Sequence, residues 1–515
     1  MLLDHAHTRR PAVACGALAL LSLATLRTLP TALHDVHPPT PPSCFVLRPG
    51  GPPFAAAELS AIRRLLAANV NVNGTGAVVA APDHHTGPGG SPHADLSADY
   101  YWHWPRDAAL AIASLERSGL ASLAQLRAYA AWEAALLARP PASRSPIDPS
   151  RWVPVGTEPK FAIPSGAPFD APWCRPQNDA PALRLLALLP LATRLLGGGG
   201  GGALERASLW RADGGGTLQA SVAYIIGGGW REATCDLWEE VISADLLWNR
   251  LLMARGAEAA APLADALGEP ELAAACRATA AEIRRGLASH VGPGGALSEA
   301  PRAAAAAAWR TGAAEARAAD GALVLALNLG FDAPRPAFAP LSREVGATVA
   351  RLTAAFCREY PINADAAEAG VPGVLYGRYP GDEYHGGNPW ILTTAALAQL
   401  LYRVGLALCA RSGAEAEPPD AAVMRIWAET LNAPELAAAS PADAARIFSS
   451  AGDSVLSRIA HYVRESNDGD FVLYEQLDKH TGKQTSARSL TWSYAEVLDA
   501  LHWRTELRRG PLQCY

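Results

Sequence analysis

Residues 235–248 read CDLWEEVISADLLW. Three carboxylates in this stretch, Asp236, Glu239 and Glu240, surround Trp238, and the residues that follow have a helical rhythm. Apolar side chains fall at Leu237, Val241, Ala244, Trp248 and Leu251, the spacing of one helix face, which predicts a helix over 237–255. Asp236 and Glu239 match a capping box, an N-cap acceptor followed three residues later by Glu. Carboxylates in a first turn also suit the positive end of the helix dipole. Yet three carboxylates are more than a cap needs. Taken alone, the segment reads either as a helix start or as a group that acts on a substrate.

Working outward, helical periodicity recurs along most of the chain, at 56–69, 106–118, 122–138, 179–196, 270–289, 341–358, 389–408, 441–464 and 490–503. Strand-like alternation is scarce. Lengths and number predict an all-α domain of paired helices. Long loops rich in Gly, Pro and aromatics separate the helices, and loops of that length are usually functional or disordered. GGGGGG at 197–202 and GGG at 214–216 bracket a low-complexity insert, read as disordered. The Ala-rich run 303–308 is a weaker case, because Ala is also the best helix former.

The chain has 515 residues, half of them hydrophobic, enough for a large core. Net charge is −6 with no basic block, which argues against a nucleic-acid partner and leaves neutral ligands open. Fourteen Trp stand out, because the indole ring packs cores and also stacks on flat ligand faces. Arg9 and Arg10 precede an apolar run from about Ala12 to Leu26, the form of a secretory signal and short for a membrane span. Residues 1–35 are therefore expected to be a signal peptide. No small-x-small cleavage site follows, so an uncleaved anchor stays open, and with it a membrane contact. Residues 36–53 form a Pro-rich lead-in. Beyond the signal the cysteines are Cys44, Cys174, Cys235, Cys276, Cys357, Cys409 and Cys514, an odd set that implies one or more disulfides and a free thiol. Asn73-Gly-Thr75 is a sequon, meaningful if the chain is secreted. His and Cys show no ligand spacing, so no metal and no cofactor is expected.

Four further loops repeat the chemistry of the opening stretch. One holds Tyr100, Tyr101, Trp102 and Trp104 before Arg106 and Asp107; another holds Trp173, Arg175 and Asp179. The third carries Tyr376, Arg378, Tyr379, Asp382, Tyr384 and Trp390, and the fourth Tyr474, Glu475, Asp478, Trp492 and Tyr494. Each has an ordinary reading: Pro105 and Asp107 as helix-start grammar, Tyr379 to Asp382 as a turn, Trp492 and Tyr494 as core. Five recurrences at loop–helix junctions weaken those readings. Sugar C–H faces stack on aromatic rings, and hydroxyls take hydrogen bonds from Arg, Asp and Glu. Cleaving a glycosidic bond needs one protonated and one ionised carboxyl group, which the segments around Glu239 and Glu475 can supply.

The motifs YYWHWPRDAAL, PWCRPQNDAPALR, DLWEEV, GRYPGDEYHGGNPW and EQLDKHTGKQTSARSLTWSY resemble, in order and spacing, those of the inverting glucoamylases, glycoside hydrolase family 15. The resemblance spans roughly residues 55–505 and frames a catalytic domain over 54–508. It implies an (α/α)6 barrel with a loop-lined pocket at one end. The implied activity is exo-hydrolysis of α-1,4-glucosidic bonds, and more slowly α-1,6 bonds, from non-reducing ends, with release of β-D-glucose. Matched by motif, Glu239 is the general acid, Glu475 the general base, and Glu240 a group on the next sugar. Arg106 and Asp107 grip the terminal glucose, Arg378 and Asp382 are further pocket groups, and Tyr100, Trp173, Trp390 and Trp492 form the aromatic wall. Asp236 matches a family acid sometimes assigned as base. A supporting electrostatic role is expected instead, from a place one helical turn from Glu239 on the same face.

The chain departs from the pattern at the Gly-rich insert, at Cys235 where a Tyr is expected, and at His103 where a small polar residue is expected. No starch-binding module is expected after the last helix, and a monomer acting on an α-glucan or maltooligosaccharide is expected. The competing readings are a trehalase or glucodextranase on the same barrel, a non-catalytic glucan-binding protein, and a membrane-tethered wall or Golgi component. Localisation is expected in the secretory pathway: secreted, vacuolar or membrane-anchored.

Overall fold

The computed structural model describes residues 43–48, 51–82, 99–197, 209–210, 216–301, 307–308, 318–411, 419–466 and 469–510. The signal or anchor at 1–35, the first part of the lead-in, most of the Gly-rich insert and residues 302–306 of the Ala-rich region lie outside the described residues. In chain order the helices are α1 (Ala56–Ala68), α2 (Pro105–Arg117), α3 (Leu123–Leu137), α4 (Asp179–Gly197), α5 (Thr217–Ile226), α6 (Leu247–Ala266) and α7 (Pro270–Gly286). They continue as α8 (Ala322–Gly330), α9 (Arg343–Glu359), α10 (Pro361–Glu368), α11 (Ile391–Cys409), α12 (Ala421–Thr430), α13 (Pro441–Ser466) and α14 (Thr491–Arg509).

Packing between helices closes a ring. α2 packs on α4, α4 on α6, α6 on α8, α8 on α11, α11 on α14, and α14 back on α2. An outer set covers it: α1 lies on α14, α3 on α4, α5 on α4 and α6, α7 on α6, α9 on α8, and α13 on α11. This is the (α/α)6 barrel. The inner helix α11, with neighbours in the ring on both sides and α13 behind it, is apolar nearly all round. In α11 every residue from Ile391 to Gly405 is buried, and each large apolar side chain there contributes roughly 1.5–3 kcal/mol. The helix is apolar enough to cross a bilayer, but its place is the barrel core. Gly452 of α13 lets that core close: a Cβ there would sit 2.5 Å from the Tyr402 ring of α11.

The sequence expectation fails at the opening stretch. No helix spans 237–255; α6 starts only at Leu247. Residues 234–243 form a hairpin instead, with β3 (Thr234–Cys235) antiparallel to β4 (Val241–Ser243) and Cys235 opposite Ile242. The cause is Asp236. Its carboxylate accepts from the backbone N–H groups of Trp238 at 3.2 Å and of Glu240 and Val241 at 2.7 Å each. An Asp bonding its own following backbone competes with helix formation. The turn leaves Glu239 at φ +65°, so the capping box is absent and Asp236 and Glu239 share no helix face. The start of α6 is capped from far along the chain: Glu299 accepts from Trp248 N–H at 3.2 Å. Helices α5, α8, α10 and α12 were not foreseen, α8 because its nine residues, ALVLALNLG, show no polar face to give a period.

Cys44 is bonded to Cys357 and Cys174 to Cys235; Cys409 is also disulfide-bonded, while Cys276 is free and buried. Phe45, in the lead-in, is buried and Val46 pairs with Gly373.

Candidate active site

The amino-terminal ends of the inner helices converge at one end of the barrel. Arg106 and Asp107 stand in the first turn of α2, Asp179 starts α4, Trp390 caps α11 and Trp492 is second in α14. These ends are joined across the ring: Asp179 accepts from Trp248 Nε1 at 3.0 Å and pairs with Arg106 at 3.4 Å. Asp320, just before α8, accepts from Trp238 Nε1 at 2.7 Å. Three short sheets brace the loops above them. They are β1 (Trp102–His103) with β2 (Phe161–Ala162), β3–β4 with β5 (Ala307–Ala308), and β6 (Gln476–Leu477) with β7 (Gln484–Thr485).

A cavity of about 890 Å³, mouth included, lies among these ends. It is lined by Tyr100, Arg106, Asp107, Trp173, Glu239, Glu240, Arg378, Trp390, Glu475 and Trp492. The structure therefore brings ten of the twelve expected site residues together. Asp236 and Asp382 do not line it. Asp236 is spent on the hairpin turn, and Asp382 holds Arg378, whose Nε donates to it at 2.8 Å. Motif reading left out Trp104 and Tyr384, which also line the cavity, and Gln177 behind it. Trp104 stands two residues before Arg106, in a run with three other aromatics, and nothing in the sequence ranks it above them.

Glu239 sits at the hairpin tip, and four donors converge on it. Oε1 accepts from Trp104 Nε1 at 2.9 Å, Gln177 Nε2 at 2.8 Å and Arg106 Nη2 at 3.0 Å. Oε2 accepts from Trp173 Nε1 at 2.6 Å. Oε1 is saturated; Oε2 keeps a lone pair for a ligand. Behind Trp173, Lys160 Nζ lies 3.5 Å from the ring centre. Burial pushes the Lys160 ammonium down to about 8, opposed by the charge of Glu239.

Glu475 belongs to a different wall, where β6 begins. It is 1% exposed and accepts from Ser486 Oγ and from Gln476 Nε2 at 3.1 Å. Burial outweighs these donors and pushes its carboxyl up to about 7. Asp107 is pushed up to about 6, again by burial, with Arg106 opposing. Asp107 Oδ2 and Arg106 Nε are buried without a hydrogen-bond partner in the protein, 3.5 Å apart. Buried polar atoms without partners are costly, and both residues line the cavity. Arg378 pairs with Glu240 at 2.9 Å and lies 5.5 Å from the Trp390 ring centre. Tyr100 and Tyr384 share a short hydroxyl–hydroxyl contact across the floor.

His103, one of the departures noted above, is absorbed below the pocket. Its Nε2 lies 2.9 Å from Glu133, which also accepts from Arg184 Nε at 2.5 Å. Burial raises the Glu133 carboxyl, but Arg184 and His103 outweigh it and hold the group down at about 2.

A double ring of helices with two carboxyl groups on separate walls of an aromatic pocket defines a carbohydrate-hydrolysing class of protein. The chain belongs to glycosyl hydrolases family 15, which matches residues 59–502. It is 26% identical over 448 residues to the glucoamylase of Blastobotrys adeninivorans, covering 82% of this chain and 68% of that one. Among solved structures, the family 15 glucoamylase from Hypocrea jecorina superposes with a TM-score of 0.69 at 25% identity, covering 89% of this chain and 72% of that one. The Hormoconis resinae glucoamylase gives 0.68 at 25% identity, with 89% and 76% covered.

Proposed function

We infer that the protein is an exo-acting glucoamylase, a hydrolase that removes single glucose units from the non-reducing ends of α-1,4-linked glucans and more slowly cuts α-1,6 bonds. Membership in the family and the glucoamylase names of its relatives support the reading. The observation that carries it is that Glu239 and Glu475, from well-separated parts of the chain, line one cavity together with Tyr100, Trp173, Trp390 and Trp492.

In the proposed reaction the terminal glucose enters the pocket, and its hydroxyls bond to Asp107, Arg106 and Arg378. Glu239 Oε2 gives a proton to the glycosidic oxygen, and the C1–O bond breaks as that oxygen leaves as a hydroxyl. Glu475 takes a proton from a water whose oxygen attacks C1 from the other face, so the anomeric centre inverts and β-D-glucose forms. Tyr100, Trp173, Trp390 and Trp492 supply stacking faces, and Glu240 reaches the leaving sugar. Asp236 shapes the hairpin that presents Glu239 by accepting from the backbone N–H groups of Trp238, Glu240 and Val241. It is the wrong group for a base.

Incubating the purified protein with maltooligosaccharides and with trehalose, and identifying the products, tests the reading. Glucose as the first product from maltooligosaccharides, with trehalose intact, is expected. Rapid cleavage of trehalose alone would move the chain to the trehalase reading.

The proposal extends to location. The signal-like amino-terminal sequence, the disulfides, which suit an oxidising compartment, and the exposed sequon residue Asn73 support entry into the secretory pathway. Intact-mass measurement of secreted material should show a start between residues 26 and 36 and glycan on Asn73. A chain beginning at Met1 in the membrane fraction would favour the anchor.

A further inference from the structure

The reaction leaves Cys174 and Cys235 without a role, though both stand beside its machinery. They are disulfide-bonded, each 2% exposed, and Cys174 lines the cavity. Cys174 follows Trp173, whose indole donates to Glu239. Cys235 precedes Asp236, whose carboxylate shapes the turn that ends in Glu239. The bond therefore joins the segment carrying the donor to the hairpin carrying the acceptor.

The other bonds of that donor segment run to its own neighbourhood rather than to the hairpin. Apart from Gly166, residues 164–173 are exposed or half-exposed. Backbone bonds join the chain to the hairpin only after Trp173: Cys235 N–H donates to Pro176 O at 2.9 Å, and Asn178 N–H to Thr234 Oγ1 at 2.9 Å; Phe169 N–H, before it, donates to Lys160 O at 3.0 Å. Before it, Arg175 Nη2 donates to Phe169 O at 2.8 Å. Phe169 meets Trp173 edge-on, with ring centres 5.5 Å apart. The disulfide is the one covalent tie between the Trp173 segment and the hairpin among the described residues. A proton donor misplaced by about 1 Å loses on the order of 10²-fold in rate, so a flexible support for Glu239 Oε2 would be expensive.

We propose that the Cys174–Cys235 disulfide is a positioning element for proton donation: it locks the Trp173 indole against Glu239 Oε2 and so fixes the oxygen that carries the proton. The proposal rests on the reading of Glu239 as general acid. It also gives Cys235, which stands where the family pattern led us to expect Tyr, a function of its own.

The test compares C174A/C235A with C44A/C357A, which removes a disulfide neither of whose cysteines lines the cavity. Two substrates are used: maltotriose, whose sugar leaving group needs full protonation, and α-glucosyl fluoride, which needs less. For C174A/C235A, kcat on maltotriose should fall about 10- to 100-fold, with KM within about threefold and a much smaller loss on the fluoride. C44A/C357A should lose thermal stability and keep the wild-type ratio of the two rates. A purely structural role would lower both rates of C174A/C235A together. An unchanged ratio in folded C174A/C235A overturns the proposal. If that variant does not fold, C174A/C235V fills the space of the sulfurs, and the wild-type chain opened by reductant, with the cleaved pair located by peptide mass, gives the same ratio. Glu239→Gln separates the two readings. Full activity in that variant removes the acid assignment, whereas a dead Glu239→Gln beside an unaltered C174A/C235A removes only the disulfide's role.

Discussion

Trp173 Nε1 donates to Oε2 of Glu239 at 2.6 Å, the one oxygen of that carboxylate to which Trp104, Gln177 and Arg106 do not reach. On the proposed reading the indole has two separable uses, a hydrogen bond to the proposed acid and a stacking face for the sugar. Trp173→Phe keeps a ring and loses the N–H; Trp173→Ala loses both. The Ala variant should lose about 1–3 kcal/mol of transition-state stabilisation in kcat/KM on maltotriose, and the Phe variant less, chiefly through kcat. Equal losses would mean that the ring face contributes nothing.

A second expectation concerns the acid itself. Glu239→Gln keeps one acceptor oxygen for the donors on Oε1, sets an amide against Trp173 Nε1, and has no acidic proton to give. On maltooligosaccharides it should lose at least the roughly 10²–10⁴-fold typical of acid–base catalysis. α-Glucosyl fluoride should recover part of that loss. A uniform loss on both substrates would assign Glu239 to binding.

Much of this site was legible in the sequence, because its parts sit where helix grammar and aromatic loops coincide. Arg106 and Asp107 follow Pro105 at a helix start, Trp390 precedes a long apolar helix, and Trp492 opens a long periodic one. What stayed hidden depends on contacts between distant segments. Asp236 and Glu239 had the spacing of a capping box, yet the carboxylate turned to its own backbone, and Glu299 capped the helix from 51 residues away. Gln177 lies within the motif PWCRPQNDAPALR without a role assigned to it, and its bond to Glu239 exists only once the two loops meet. The apolar period marked ten segments, one of them wrongly at its start, but could not mark α8, whose residues are buried on every side.

The turn itself can be tested. Asp236→Ala removes three bonds from buried or half-buried backbone N–H groups, a loss on the order of 3 kcal/mol in unfolding free energy. Asp236→Asn keeps the oxygen that serves Glu240 and Val241 and places an amide against Trp238 N–H, so it should fall between the two. Denaturant midpoints give the order. If Asn proves as costly as Ala, Oδ1 is not the oxygen that matters.

Stability should also depend on pH with a definite sign. Burial holds Glu475 up at about 7 and Glu496 up at about 8, against ordinary values of 4.5. Between 4.5 and those values the folded protein binds more protons than the unfolded chain, so stability falls as pH rises through this window. The melting temperature of the ligand-free protein should therefore be higher near pH 5 than near pH 8. Glu475→Gln, which has no charge to bury, should flatten part of the slope. A melting temperature that rises across the window would contradict the burial of these two groups.

Stereochemistry is the most decisive outcome. Inversion requires room for a water between the two carboxyl groups, a gap of roughly 6.5–9.5 Å, whereas retention requires about 5–5.5 Å and a covalent intermediate. Glu475 has the surroundings of a group that accepts a proton from such a water. Its donors, Ser486 Oγ and Gln476 Nε2, are neutral, and burial keeps it basic at about 7. Glu475→Gln should therefore be slow on maltotriose and on α-glucosyl fluoride alike, because the water needs its base whatever the leaving group. In the wild type, proton NMR in the first minutes of turnover should show the β-anomer of glucose, with the α-anomer appearing only as the sugar mutarotates. Initial α-glucose would mean retention, and Glu475 would then have to be read as a nucleophile.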